Sequence, residues 1–393
     1  MEPWCPSAIE RAMERPMPKP LPFLCASALA LSLTACAGTI NNSTTDTASN
    51  VTFTFTDSGV TAAGETDTGY EIDGTALTIT SSGTYTVSGS CEDGSIKVKK
   101  STTGVTLVLD GLTLTSENTA AITCGKSSEV TILVSNGTEN SLSDTEQNND
   151  DNYPENENAE NAVIKCKDGS LVTLCGDGEL TITANGKNGI KSGATTDEDG
   201  EASLTIRDVT LNIDAPVNDA INAEQLLNVE SGTLTIDAAD DAIHCDLVLN
   251  IGADGTDGGT IDACSSAGDG FDSNGELTIT GDTVIVWTAN TADNEPPDAD
   301  GTITVSGGTV LAAGGSSGMD MGGGFPGGGQ KPDGEPPESF DGQMPNGEKS
   351  ELLDGEVPEM PSGERPTPPS GQGSPADGNA PAGDSTSDTT PTA

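Results

Sequence analysis

Between Ala202 and Val305, short apolar runs alternate with polar positions, and one phrase recurs with small changes. Three copies read Asp219-Ala220-Ile221-Asn222-Ala223-Glu224, Asp241-Ala242-Ile243-His244-Cys245-Asp246 and Asp269-Gly270-Phe271-Asp272-Ser273-Asn274. Each is followed by a run of period two: Leu227-Asn228-Val229, Leu249-Asn250-Ile251 and Leu277-Thr278-Ile279. A β-branched run closed by Gly or Asp precedes each, as in Thr233-Leu234-Thr235-Ile236-Asp237. Ile221 to Ile243 is 22 residues, and Ile243 to Phe271 is 28. Period-two alternation predicts strands. A repeat of this length without a helical pattern predicts a β-solenoid, because one coil cannot bury its apolar face alone and coils must stack. The expected fold class is all-β.

The pattern extends in both directions. Strict alternation opens at Val51-Thr52-Phe53-Thr54-Phe55, departs from the repeat, and is expected to cap the first coil. Regular coils begin near Ser95-Ile96-Lys97-Val98 and continue through Ala121-Ile122-Thr123-Cys124, Val163-Ile164-Lys165-Cys166 and Gly189-Ile190-Lys191. The last strand signals are Val284-Ile285-Val286-Trp287, Ile303-Thr304-Val305 and Thr309-Val310-Leu311, which gives a solenoid domain over 51–313. An acidic, Asn-rich insertion at about 144–160 reads as a disordered excursion in preference to a metal-ordered flap. A second acidic loop is Asp197-Glu198-Asp199-Gly200-Glu201. Residues 314–393 are rich in Gly, Pro, Ser, Asp and Glu and are expected to be disordered.

The N-terminus reads as a targeting signal. Met17-Pro18-Lys19-Pro20 precedes an apolar segment from Leu21 to Leu33, too short to favour a spanning helix, ending in Leu33-Thr34-Ala35-Cys36. Small residues followed by Cys resemble a bacterial lipobox. That implies a signal peptide over 1–35, in which 1–16 look like an extension before a start at Met17. It also implies lipidation of Cys36 and a flexible tether over 36–50. The expectation is an extracytoplasmic lipoprotein held to a membrane at the bacterial cell surface by its acyl chains.

Charge narrows the partner. Sixty-three Asp and Glu stand against 15 Lys and Arg, a net charge of −48. Nucleic acid and anionic membrane faces reward clustered cations and are argued against. Divalent cations are the natural counter-charge. Cys124, Cys166 and Cys245 each follow an Ile by two residues, so they fall in one inward column. A Cys124–Cys166 disulfide and a buried thiol ladder both remain open. No CxxC pair suggests zinc.

Aligning the phrase stacks polar residues into columns. One reads Asn222, His244, Asp272 and Asp298; a second reads Glu224, Asp246, Asn274 and Asp300; a third, at the phrase start, reads Asn188, Asp219, Asp241 and Asp269. Coils stacked roughly 4.8 Å apart bring these carboxylates close enough to repel unless protonated or bridged. Calcium, with six to eight oxygen ligands and loose geometry, relieves that repulsion. Asp246, Asp272, Asp298 and Asp300 lean to calcium, and Glu224, Asp219, Asp241 and Asp269 are further candidates. For the third column a hydrogen-bonded Asn/Asp ladder is preferred. Asn222, His244, Asn274 and Arg207 are candidate ligand-binding residues. His244, the only histidine, reads as a surface residue that could also ligate or titrate. No Ser/His/Asp arrangement follows from one His. A lyase would need a cationic base, for which only Arg207, Lys165 and Lys191 offer themselves. For a hydrolase the chain has too many carboxylates to select a pair.

Gly83-Thr84-Tyr85-Thr86-Val87-Ser88-Gly89, Val108-Leu109-Asp110-Gly111-Leu112 and Gly137-Thr138-Glu139-Asn140-Ser141-Leu142-Ser143-Asp144 carry a resemblance. With the phrases around Ile190, Ile221, Ile243 and Phe271, the sequence resembles a bacterial carbohydrate-binding β-helix family. Its founding clostridial member binds cellulose and acidic sugars. The resemblance covers about 70–313 and implies a right-handed, single-stranded parallel β-helix like that of pectate lyases. It also implies calcium sites and polygalacturonate-type ligands, with binding rather than cleavage. This chain departs from the family pattern at Glu295-Pro296-Pro297-Asp298-Ala299-Asp300, where another Asp-Asp-Gly-Ile-like phrase is usual. Aromatic platforms are limited to Trp287 and Tyr153, which makes cellulose the weaker of the two ligands. The function expected is a monomeric surface lipoprotein that binds acidic polysaccharide through bridging calcium. The alternatives are a calcium-dependent polysaccharide lyase and a non-catalytic structural adhesin or spacer.

Overall fold

The computed structural model describes residues 49–64, 68–194, 203–252, 259–291 and 294–315. The expected signal segment, Cys36, most of the tether, the acidic loop at 197–201 and the tail beyond 315 lie outside the described residues. Those that are described form 28 strands and no helix.

The strands build a parallel β-helix with three faces, so that each full coil contributes one strand to each. In one central coil, Thr210–Ala215, Ile221–Ala223 and Leu226–Val229 follow one another, and the next coil repeats them as Thr233–Ala238, Ile243–Cys245 and Val248–Ile251. Each strand pairs in parallel with its equivalent one coil on: Leu211↔Leu234, Ile221↔Ile243 and Leu227↔Leu249. The first face comprises Leu226–Val229 and its equivalents, the second Thr210–Ala215 and its equivalents, and the third Ile221–Ala223 and its equivalents. Near the N-terminal end, Val105–Ser116 runs across the corner between the first and second faces. Its Val105 to Leu109 pair with Val130 to Val134, and Thr113 to Ser116 with Ser141 to Asp144. Asn140 sits buried at this corner, its Oδ1 accepting from the backbone N–H groups of Gly111 (3.0 Å) and Leu112 (2.9 Å).

The period-two pattern decides which side chains enter the core. In Thr233–Ala238, Leu234, Ile236 and Ala238 are buried and the residues between them face outward. The inward column of the third face runs Ile96, Ile122, Ile164, Ile190, Ile221, Ile243 and Phe271, each in register with the next and each essentially inaccessible to water. Each such side chain contributes roughly 1.5–3 kcal/mol on burial. The third phrase carries Gly270 where the others carry alanine for a steric reason: a Cβ there would lie 2.1 Å from Val286 Cγ2. Cys124 and Cys166 are free and buried, in register beside each other. They form a thiol ladder rather than a disulfide.

The N-terminal end is closed by antiparallel pairs. Ser49–Thr56 pairs with Gly59–Gly64, and Tyr70–Asp73 with Ala76–Ile79. Phe53, Phe55 and Tyr85 are buried beneath them, and the Phe53 and Tyr70 rings meet edge to face at 4.9 Å. The opening alternation therefore does cap the first coil.

The Asn-rich insertion is ordered, contrary to the excursion expected. Buried Asn148 donates to Asp144 Oδ2 (2.8 Å) and Ala162 O (2.9 Å), and its Oδ1 accepts from Glu160 N (2.7 Å) and Asn161 N (3.2 Å). Asn149 donates to Gly186 O, and Asn156 to Asn118 O and Gln147 O. Asparagine carries both donors and acceptors, so a polar loop of this composition can satisfy its own backbone while lying against the solenoid.

Candidate functional site

The outward column of the third face changes character along the molecule. Parallel register places Lys97, Thr123, Lys165, Lys191, Asn222, His244, Asp272 and Asp298 in one line. It begins cationic, passes through amide and imidazole, and ends anionic. The phrase alignment thus placed Asn222, His244, Asp272 and Asp298 on adjacent strands of one face.

At the phrase start a second column is tied by a ladder. Asp219 Oδ1 accepts from Asp241 N (3.2 Å), Asp241 Oδ1 from Asp269 N (2.7 Å), and Asp269 Oδ1 from Glu295 N (2.5 Å). Each aspartate holds the backbone of the next coil, which is the ladder the sequence suggested. The Asp219 Oδ2 also accepts from Asn222 Nδ2 at 2.7 Å. Burial pushes the Asp219 carboxyl up to about 6, aided by the nearby charges of Asp241 and Asp240. Burial likewise pushes Asp269 up to about 7, with Asp241, Asp298 and Asp272 adding repulsion. Asp240 and Asp298 are raised for the same reasons, burial first.

His244 sits between these columns. Its Nδ1 lies 2.7 Å from Asp272 Oδ2 and 3.4 Å from Asp241 Oδ2, and its Nε2 lies 3.0 Å from Asp246 Oδ1. Asp241 and Asp272 beside it hold the imidazole up at about 11 against the opposing cost of burial. It is therefore a cation at neutral pH, bridging three carboxylates. The reading of His244 as an ordinary surface residue is corrected: it is the internal counter-charge of the column.

Three groups bring ligand atoms within 4.8 Å of one another: Asp241, His244 and Asp272; Asp219, Asp240 and Asp241; and Asp269, Asp272 and Asp298. The first already contains its cation. Asp246 belongs with His244 and Asn274, whose Nδ2 donates to it at 2.9 Å. Glu224 is ion-paired with Lys191 at 3.5 Å. Exposed Asp300 joins no group among the described residues. Arg207 stands apart, on the first face within Leu204–Arg207, with its guanidinium 4.0 Å from Glu230. Asp240 was missed by the sequence reading; the doubled Asp240-Asp241, present in one of the three phrases, was the available signal.

Fold and site define a parallel β-helix whose third face carries an ordered carboxylate array. A family model described as carbohydrate-binding domain-containing protein matches residues 73–321, and the chain belongs to that family. A carbohydrate-binding domain-containing protein of Acetivibrio thermocellus (strain ATCC 27405) is 38% identical over 118 residues, covering 28% of this chain. The match spans 38% of that relative's length. A solved structure described as a polysaccharide lyase-like protein from C. thermocellum, a gadolinium derivative, is similar at a TM-score of 0.40 and 24% identity. That match covers 68% of this chain and 95% of the other.

Proposed function

We propose that this protein binds acidic polysaccharide of the polygalacturonate type through a calcium ion held at the carboxylate end of the third face. The observation that carries this reading is the convergence of Asp269, Asp272 and Asp298, with ligand oxygens within 4.8 Å. The donors are all carboxylate oxygens, the set a hard divalent cation prefers. Each of the three spends one oxygen locally: Asp269 on Glu295 N, Asp272 on His244 and Asp298 on Ala299 N. That leaves three protein oxygens for a cation that takes six to eight, so positions remain for water and for a sugar carboxylate. The bound ion would supply positive charge shared between protein and uronate. The residues themselves hold and orient it, with His244 fixing Asp272 and the ladder fixing Asp269.

The burial that raises Asp269 supports the same reading, since a carboxyl with a strained charge gains from a cation. The lipobox-like ending at Cys36 supports export and lipid anchoring at the cell surface, where such polymers are met. Mass spectrometry of membrane-extracted protein should find two or more acyl chains on Cys36, and Cys36→Ser should release it in soluble form.

Calorimetric titration of calcium into the chelator-stripped protein, repeated with polygalacturonate, tests the bridge. Micromolar-to-millimolar calcium affinity that tightens with polymer is expected, because the coupling must be reciprocal. Calcium affinity unchanged by Asp269→Asn with Asp298→Asn would overturn the site. Polymer retention indifferent to calcium in the wild-type protein would overturn the bridge.

A further inference from the structure

Every lysine and arginine among the described residues lies between Lys97 and Arg207, so the cations gather on the N-terminal half of a strongly acidic molecule. On the third face they are aligned. Lys97, Lys165 and Lys191 share the outward column with Thr123 between the first two, and Lys167 lies just past the end of the strand Ala162–Cys166 that carries Lys165. Lys191 is paired with Glu224 and Lys167 with Glu160 (2.6 Å). Lys97 and Lys165 make no ion pair among the described residues. Lys97 is exposed, and Lys165 is half-buried close to the charge of Lys191.

Lys97 and Lys167 line a groove of about 550 Å³, and Lys165 continues the column of Lys97 and Thr123 beside it. Its floor includes Lys97 and Thr123, and one wall is the ordered insertion, through Glu157 and Asn158. The loop is pinned there by Asn156 donating to Asn118 O at 2.8 Å and Thr145 to Glu117 O at 2.6 Å. Hydroxyl, amide, carboxylate and ammonium groups together are the donor and acceptor set that a polyhydroxylated ring requires. Coils stacked roughly 4.8 Å apart match the length of a pyranose unit, so a polymer lying along the axis meets about one coil per sugar.

We propose that this groove and its lysine column form a second saccharide subsite, which binds the carboxylates of an acidic sugar directly on Lys97 and Lys165 without a metal. Thr123, Glu157 and Asn158 receive the ring hydroxyls. The subsite rests on the acidic-polysaccharide reading above but not on its calcium. A net charge of −48 repels a polyanion overall, so attraction has to be local. The face then offers two devices along one axis, ammonium groups at one end and carboxylates with calcium at the other.

The test is calorimetric titration of hexagalacturonate into the full chain in excess chelator. The wild-type protein binds, more weakly at higher salt, and the fully methyl-esterified hexamer does not. Lys97→Ala with Lys165→Ala weakens binding by about tenfold or more, whereas Lys97→Arg with Lys165→Arg stays near wild type. Melting curves check that the paired variants remain folded, and exposed Lys97→Ala alone serves as the variant least able to disturb the fold. Asp269→Asn with Asp298→Asn leaves the chelator-resistant binding intact. The subsite is overturned if the chelated protein fails to bind, or if the alanine pair binds like wild type. Gain of affinity on adding calcium is read separately, in both wild type and the lysine variants, so failure of the bridge and failure of the subsite give different results.

Discussion

His244 decides the electrostatics of its column. Three carboxylates approach one imidazole, and the charged form is favoured up to about pH 11. A basic group whose folded pKa lies above its unfolded value stabilises fully below the unfolded pKa, about 6.5. That contribution fades as pH rises toward 11. His244→Gln should therefore lower stability by about 2 kcal/mol at pH 6. The difference between variant and wild type should shrink steadily in melts taken from pH 7 to pH 10. The same substitution removes a positive charge beside Asp272, so it should tighten calcium binding at pH 7, read by the same calorimetry. Neither effect was legible in the sequence. Alignment of the repeats set His244 beside Asp272, but that Asp241 and Asp246 also turn their carboxylates onto the imidazole, and so fix its charge, depends on rotamers that no repeat pattern encodes.

The insertion shows what composition conceals at the scale of an element. Asp144, at the end of the strand Glu139–Asp144, receives Asn185 N (2.7 Å), Gly186 N (3.0 Å) and Asn148 Nδ2. Burial pushes its carboxyl up to about 6 even so. An acid raised in the folded state takes up protons on folding, so its contribution to stability declines as pH rises from about 4 through 6. Asp144→Ala leaves the buried Gly186 N–H and the part-buried Asn185 N–H without acceptors and should cost about 2 kcal/mol in denaturant unfolding. Asn148→Ala should act more locally, exposing 150–158 to limited proteolysis while the melting temperature falls by only a few degrees. Asn, Asp and Glu together suggested an excursion because low hydrophobicity removes the usual reason for order. The compensation is a set of amide contacts to Gly186, Asn118 and Ala162, distant in sequence and supplied by the stacked coils.

Across the whole molecule, coils contact mainly their neighbours, so stability is close to a sum of coil and interface terms. Ile243→Ala, in the middle of the stack, removes contacts on both sides and should cost about 2–5 kcal/mol, read by denaturant unfolding. The two ends differ. Aromatic rings and antiparallel strands close the N-terminal end, whereas in the last coil Val305 is 55% and Leu311 52% exposed. A substitution equivalent to Ile243→Ala at Ile303, which is 38% exposed, should therefore cost less, about 1–1.5 kcal/mol. Cations are polarised along the same axis, gathered on the earlier coils, whereas carboxylates occur on early and late coils alike.

The repeating phrase by itself determined the stacking, the inward column of isoleucines and the membership of the outward columns. Residues in the same phase of successive repeats must fall in register when every strand is parallel and every side chain alternates. The strand alternation was likewise enough to mark the N-terminal cap. Tertiary structure alone decided which carboxylate oxygens converge, because that depends on rotamers and on the ladder of N–H groups binding one oxygen of each aspartate. It also decided that Arg207 faces away from the array, since the repeat length does not say which corner a strand turns. The charge state of His244 and the order of the insertion were decided there too, because both arise from contacts between coils that no local pattern encodes.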